Sequence, residues 1–256
     1  MALVEFTCRK HVGEVVLNRP AALNAINDEM EALLAAAWEQ IDGDPGIWVA
    51  VLRSQGTKAF CAGGDMREPP QGHAGLSLGG GITGIGGRFR PLRKPLVCAV
   101  NGYALGLGFE IALCADILLA SSDARFSLPE TRNGVIGHCG VVHRAIRQLP
   151  HHIALALIIA GETLDAASAA RFGLVNECVD VGGLPDAIDR WISKLLQCSP
   201  LVAQAAKAAA TAGLGVSLPT ALSQRYPSID AYQSTADAAE ATAAWRGRRA
   251  PVWRGG

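Results

Sequence analysis

The chain has 256 residues, half of them hydrophobic, enough to bury the core of one large domain or of a core with a helical extension. Lys plus Arg and Asp plus Glu number 23 each, so no bulk charge draws the chain to nucleic acid. No apolar run reaches membrane-spanning length, the N-terminus lacks the pattern of a secretion signal, and the seven cysteines are scattered without a C-x-x-C pair. These features predict a cytoplasmic protein with reduced thiols, no membrane or nucleic-acid partner and no metal site.

In chain order, Leu3 to Cys8 and Glu14 to Leu17 read as strands, and Asn18 to Ile26 as a loop. Asn27 or Asp28 caps a helix reaching about Ile41, with Met30, Leu33, Leu34, Ala37 and Ile41 at helical spacing. Asp42-Gly-Asp-Pro-Gly stops it, and Trp48 to Arg53 follows as a buried strand. Between Arg67 and Arg90 periodicity gives way to a glycine-rich stretch, read as a loop or marginal helix bordering a site. Leu96 to Val100 is a strand, Asn101-Gly102 a turn, and a helix runs from about Gly106 to Cys114. Ile117 to Ser121 and Arg125 to Ser127 are strands. From about Val141 the chain turns helical, over 141–160 and 165–171, with a short strand from Leu174 to Val179. After Pro185, helices are separated at Ser199-Pro200, between Gly213 and Pro219, and at Tyr226-Pro227. Strands alternating with helices imply an α/β fold, and the Ala-rich last quarter reads as a packing or oligomerisation appendage.

Two glutamates carry the chemical signal. Glu110 and Glu130 both lie among apolar or small residues, where a carboxylate is costly unless paired, hydrogen-bonded or neutralised. Such surroundings raise a carboxyl pKa and suit it to proton transfer near neutral pH. Upstream lie two small-residue turns, Phe60-Cys-Ala-Gly-Gly-Asp-Met and Gly106-Leu-Gly, each after a strand. The second lacks the third glycine of a dinucleotide fingerprint and reads instead as a strand-to-helix turn with free backbone N–H groups. Asp116, at a helix-to-strand junction, reads as a structural acceptor. Gly75-Leu-Ser-Leu-Gly79 matches the nucleophile pattern G-x-S-x-G but lacks the flanking strand and helix. His138 and Cys139 are adjacent and so not naturally face to face; His138 remains a candidate to approach Glu130.

The ordered set of segments resembles the crotonase superfamily, the enoyl-CoA hydratase/isomerase family. The matching pieces are Leu17-Asn-Arg-Pro-Ala-Ala-Leu-Asn-Ala-Ile, Ala59-Phe-Cys-Ala-Gly-Gly-Asp-Met, Lys94 through Glu110, Cys114-Ala-Asp-Ile, Phe126-Ser-Leu-Pro-Glu and Gly173-Leu-Val-Asn-Glu. The tail Arg249-Ala-Pro-Val-Trp-Arg is similar to the carnitinyl-CoA dehydratase branch. The resemblance implies a spiral of ββα units over 1–198 holding an acyl-CoA site, and a helical oligomerisation and lid region over 199–256. It further implies an acyl-CoA thioester as ligand, with coenzyme A part of the substrate and no other cofactor, and a homotrimer or dimer of trimers. It implies an oxyanion hole from the N–H groups of Gly64 and Leu107, with Glu110 and Glu130 as the acid/base pair of a hydro-lyase acting on a 2-enoyl-CoA. Isomerisation, thioester hydrolysis or C–C cleavage on the same scaffold are the alternatives, with a non-catalytic acyl-CoA binder behind them. Substrate-lining positions carried over are Ala22, Leu23, Ala25, Ala62, Gly63, Asp65, Met66, Tyr103, Gly106 and His138. Three departures stand out: Gly137-His-Cys-Gly-Val replaces the usual Pro-Gly-Ala-Gly-Gly, Ala21 replaces a common lysine, and Leu107 a common glycine.

Overall fold

A computed structural model describes residues 2–68, 91–137 and 140–256. The chain opens with a hairpin, β1 (Val4–Arg9) and β2 (Val12–Leu17), closed by Lys10 and His11 at φ 45° and 71°. Two left-handed residues match the strand twist of a two-residue hairpin loop. Helix α1 (Asp28–Gly43) follows, and of the two predicted caps Asn27 takes the place, its side chain accepting from Met30 N at 3.1 Å.

A strand–turn–strand unit then recurs. β3 (Val49–Ser54) leads to β4 (Ala59–Cys61); β5 (Leu96–Val100) leads to β6 (Tyr103–Leu105) and α2 (Leu107–Ala112); β7 (Ile117–Ser121) leads to β8 (Arg125–Ser127) and a 3-10 turn, Pro129–Asn133. The first strand of each unit joins one sheet and the second joins another. After α3 (Val141–Gln148) and α4 (His151–Ala160), the edge strand β9 (Thr163–Asp165), α5 (Ala166–Arg171) and β10 (Glu177–Val179) complete them. The larger sheet has the order β1-β2-β3-β5-β7-β10 and is parallel except at β1/β2. The smaller, β4-β6-β8-β9, is parallel except at β8/β9. The connecting turns stack: Tyr103 N donates to Lys58 O at 3.1 Å and Arg125 N to Gly102 O at 2.9 Å. Gly102 is required there, since a Cβ would lie 2.2 Å from Lys58 O. This is the expected spiral.

Both faces of the parallel sheet are covered, which explains its continuous apolar strands. Ala50, Leu52, Leu96, Cys98 and Val100 face the main core with Met30, Leu34, Trp38 and Ile41 of α1. Their alternates Val49, Val51, Val97 and Ala99 face a second cluster, closed by Ala187 and Ile188 of α6 (Leu184–Leu196). The remaining helices are α7 (Pro200–Gly213), α8 (Leu218–Ser223), α9 (Pro227–Tyr232) and α10 (Ala236–Arg246). Among the described residues, no helix is long and apolar enough to cross a membrane.

Several boundaries differ from the sequence reading. The expected strand from Leu174 begins only at Glu177, because Leu174 and Val175 insert into the main core instead. The expected helix over 141–160 breaks at Leu149-Pro150, where the residue before proline is driven to extended backbone, φ −121° and ψ 156°. The helix expected over 106–114 is shorter, ending at Ala112.

Candidate active site

The turn after β4 is held open by the loop before α1. Ile26 N donates to Gly63 O at 2.8 Å, and Asp65 N donates to Ile26 O at 2.8 Å. This bridge uses the groups on either side of Gly64, so the Gly64 N–H points away from Ile26. It donates to no partner among the described residues. Gly63 sits at φ 104°, where a Cβ would lie 3.1 Å from Leu105 O and 3.7 Å from Leu107 N. Glycine here therefore brings the first turn against the second.

The second turn is Gly106, at φ 51° and ψ −121°, with its N–H donating to Ser127 O at 2.9 Å. It opens α2, so Leu107 N is the first N–H of a helix and finds no acceptor among the described residues. Gly108 lets α2 lie directly on the end of β4, since a Cβ there would be 2.2 Å from Cys61 O. Two backbone donors thus come from two touching turns.

The same helix carries Glu110, which is 2% exposed. Glu130 lies in the first turn of the 3-10 segment after β8. A Cβ on Gly106 would lie 2.7 Å from Glu130 Oε1, and a Cβ on Gly137 would lie 2.6 Å from Glu110 Oε1. The structure therefore sets the Glu130 carboxyl against the residue that opens α2, and the Glu110 carboxyl, carried by that helix, against Gly137. Burial pushes the Glu130 pKa up, partly opposed by a backbone hydrogen bond. Its Oε2 is buried with no hydrogen-bond partner among the described residues. Burial also drives the nearby Cys61 thiol up to about 12, which leaves it without nucleophilic thiolate at neutral pH.

Of the other expected positions, Ala22, Leu23 and Ala25 run beside β4, with Ala62 N donating to Leu23 O at 3.0 Å. Leu23 is 40% and Met66 85% exposed, open to a ligand along this edge. Asp65 is committed elsewhere: its carboxylate takes Arg19 Nη1 at 2.5 Å and Arg67 N at 2.9 Å, and the Arg19 bond holds its pKa down. Arg19 also donates to Ala25 O at 3.1 Å, so the pair fastens the loop to the glycine turn. Tyr103 begins β6 beside Ala59, about 10 Å of strand away from Gly106, and is not brought to the carboxyl groups. His138 and the Gly75–Gly79 motif lie outside the described residues. Asp116 accepts from Leu96 N at 2.8 Å and pairs with Lys207 at 2.6 Å, tying α7 to the sheet.

Sequence reasoning missed Asn24. It is fully buried at φ 55°; Nδ2 donates to Gln55 O and Ala59 O at 2.9 and 3.0 Å, and Oδ1 accepts from Arg19 N at 2.8 Å. Asparagine tolerates the left-handed conformation and can satisfy backbone from both sides, the one signal that could have marked it.

Preorganised donors beside one buried and one half-buried carboxyl group can hold a carbonyl oxygen as it gains charge while protons move at adjacent carbons. Solved structures share the arrangement of the whole chain. One described as a "putative short chain enoyl-CoA hydratase" from Novosphingobium aromaticivorans DSM 12444 is 48% identical, with a TM-score of 0.92 and coverage of 100% of this chain and 99% of the other. An enoyl-CoA hydratase from Mycobacterium tuberculosis H37Rv is 32% identical, with a TM-score of 0.87 and full coverage of both chains. The fold is therefore that of the crotonase superfamily. The family model "Enoyl-CoA hydratase/isomerase" matches residues 7–256, and the chain belongs to that family. Among relatives, it is 34% identical to (E)-benzylidenesuccinyl-CoA hydratase of Thauera aromatica, over 96% of each chain. It is 32% identical to carnitinyl-CoA dehydratase of Proteus mirabilis (strain HI4320), over 98% of each.

Proposed function

We propose that this protein adds water across the 2,3 double bond of a 2-enoyl-CoA, or runs the reverse dehydration. The observation that carries the reading is that Glu130 Oε1 lies against Gly106, one residue before a helix N–H with no acceptor among the described residues, while Glu110 on that same helix sets its Oε1 against Gly137. In this reading Gly64 N–H and Leu107 N–H hold the thioester oxygen as the enolate forms. Glu110 takes a proton from water as its oxygen bonds to Cβ, and Glu130 delivers a proton to Cα. The raised pKa of Glu130 supports that division, since a donor must keep its proton while its partner is ionised. The thioester itself makes the Cα chemistry accessible, so the reaction needs no metal or redox cofactor, and coenzyme A enters as part of the substrate.

The edge formed by the exposed Leu23 and Met66 and the half-buried Ala22, Ala25 and Ala62 is the proposed path of the coenzyme A portion. Residues 199–256 are proposed as the oligomerisation and lid region of a cytoplasmic homotrimer or dimer of trimers. The relatives' printed names span aryl, carnitinyl and short-chain thioesters, so the acyl group is sought with a panel of all three kinds. Glu110→Gln and Glu130→Gln should each abolish water addition to crotonyl-CoA or to the best panel substrate. Turnover retained by either variant would sink the two-carboxylate reading. Mass spectrometry of the product separates hydration, which adds one water, from isomerisation, which adds none.

A further inference from the structure

Gly137 lies in the chain that follows Glu130 and is buried. A Cβ built on it would lie 2.6 Å from Glu110 Oε1 and 2.4 Å from Val141 Cγ1. Both are far inside van der Waals contact, so those two side chains already fill the volume a side chain at 137 would need. Glu110 and Val141 are each 2% exposed, and both clashing atoms end their side chains, so a Cβ at 137 would have to push those side chains aside. Gly137 is not among the residues with positive φ, so any amino acid could adopt its backbone. What glycine supplies here is space. Gly106 is different, because its φ of 51° already favours glycine apart from the nearby Glu130 oxygen.

We infer that Gly137 is a positioning residue: by lacking a side chain it sets where the Glu110 carboxylate rests, with Val141 closing the space beside it. The two carboxyl groups are then braced reciprocally. Glu130 rests on Gly106, which opens the helix carrying Glu110; Glu110 rests on Gly137, in the segment that follows Glu130. A shift of either segment moves both groups, which keeps their mutual geometry constant. The kinetic consequence rests on the two-carboxylate reading above, whereas the steric placement does not.

The test is the Gly137→Ala variant, studied by crystallography and by steady-state kinetics with crotonyl-CoA or the best panel thioester. The expected result is a Glu110 carboxylate displaced away from residue 137, with kcat reduced roughly 10- to 100-fold. KM should stay within about threefold, because the thioester donors are untouched. A merely structural role would lower the melting temperature without this split between kcat and KM. Should the single variant fail to fold, Gly137→Ala/Val141→Ala provides room and is read in the same way. A carboxylate found in its wild-type place overturns the inference, whatever the rate. A displaced carboxylate with an unchanged rate upholds the steric placement and overturns the catalytic part given to Glu110. Glu110→Gln separates the two: if it retains turnover, the reading of the reaction fails while the crystallographic outcome for Gly137 still decides the inference.

Discussion

Glu130 is half-buried, with one oxygen that has no hydrogen-bond partner among the described residues, and burial raises its pKa. A carboxyl whose folded pKa exceeds its unfolded value costs no stability while protonated in both states. It lowers stability as pH rises through the folded value. Glu130→Gln should therefore melt at a higher temperature than wild type at about pH 8 and alike at about pH 4, measured by calorimetry across that range. The same variant should lose turnover, so stability and activity move in opposite directions, as expected of a strained functional group. Both glutamates were legible from the sequence because a charge among apolar residues needs a reason. Their glycine partners were not, because Gly106 and Gly137 meet the carboxyl groups across the fold rather than along the chain. Asp65 is carried over only through the resemblance as a substrate-lining position, and no local pattern in the sequence announces the hydrogen bonds its carboxylate accepts from Arg19 and Arg67 N.

At the scale of elements, α2 depends on contact with β4. Gly108→Ala would force a Cβ into Cys61 O, and overpacking of this kind costs about 1–3 kcal/mol. Denaturant titration should show that loss, and activity should fall with it because Leu107 and Glu110 share the helix. Asn27→Ala removes the cap of α1 and should cost about 1 kcal/mol by the same measurement, with little change in kcat. The long strands and α1 were readable from periodicity, since their apolar residues repeat at 2 or 3.6. The three-residue strands β4, β6 and β9 are too short to show a period, whereas β8 and, with an earlier start, β10 were anticipated as short strands. They exist because each turn of the spiral stacks on the one before.

Across the whole molecule, the C-terminal tail folds back and is fastened by two carboxylates. Asp237 is fully buried and accepts from Arg254 N and Gly255 N at 2.8 and 3.2 Å. Glu240 takes Arg249 through both oxygens at 2.5 and 2.8 Å and also Val252 N at 2.7 Å. Arg249 is the main cause that lowers the Glu240 pKa to about 2. A depressed carboxyl pKa stabilises the folded state above the unfolded value and loses that effect as pH falls toward the folded one. The tail of wild type should therefore loosen below about pH 4, read as faster amide exchange over 249–255; Glu240→Gln should show fast exchange already at neutral pH. Trp253 joins the second hydrophobic cluster and donates to Gln197 O at 2.8 Å, so its fluorescence should report the same release.

By itself the sequence determined the alternation of strands and helices, the two small-residue turns and the two carboxyl groups set among apolar residues, because periodicity, glycine and misplaced charge are local properties. Only the tertiary structure decided that the turns touch through Gly63, that α2 lies on β4 through Gly108, and that each carboxyl group rests on a glycine from the other's segment. Those are contacts between residues distant in the chain, and close packing, which no local pattern encodes, sets them.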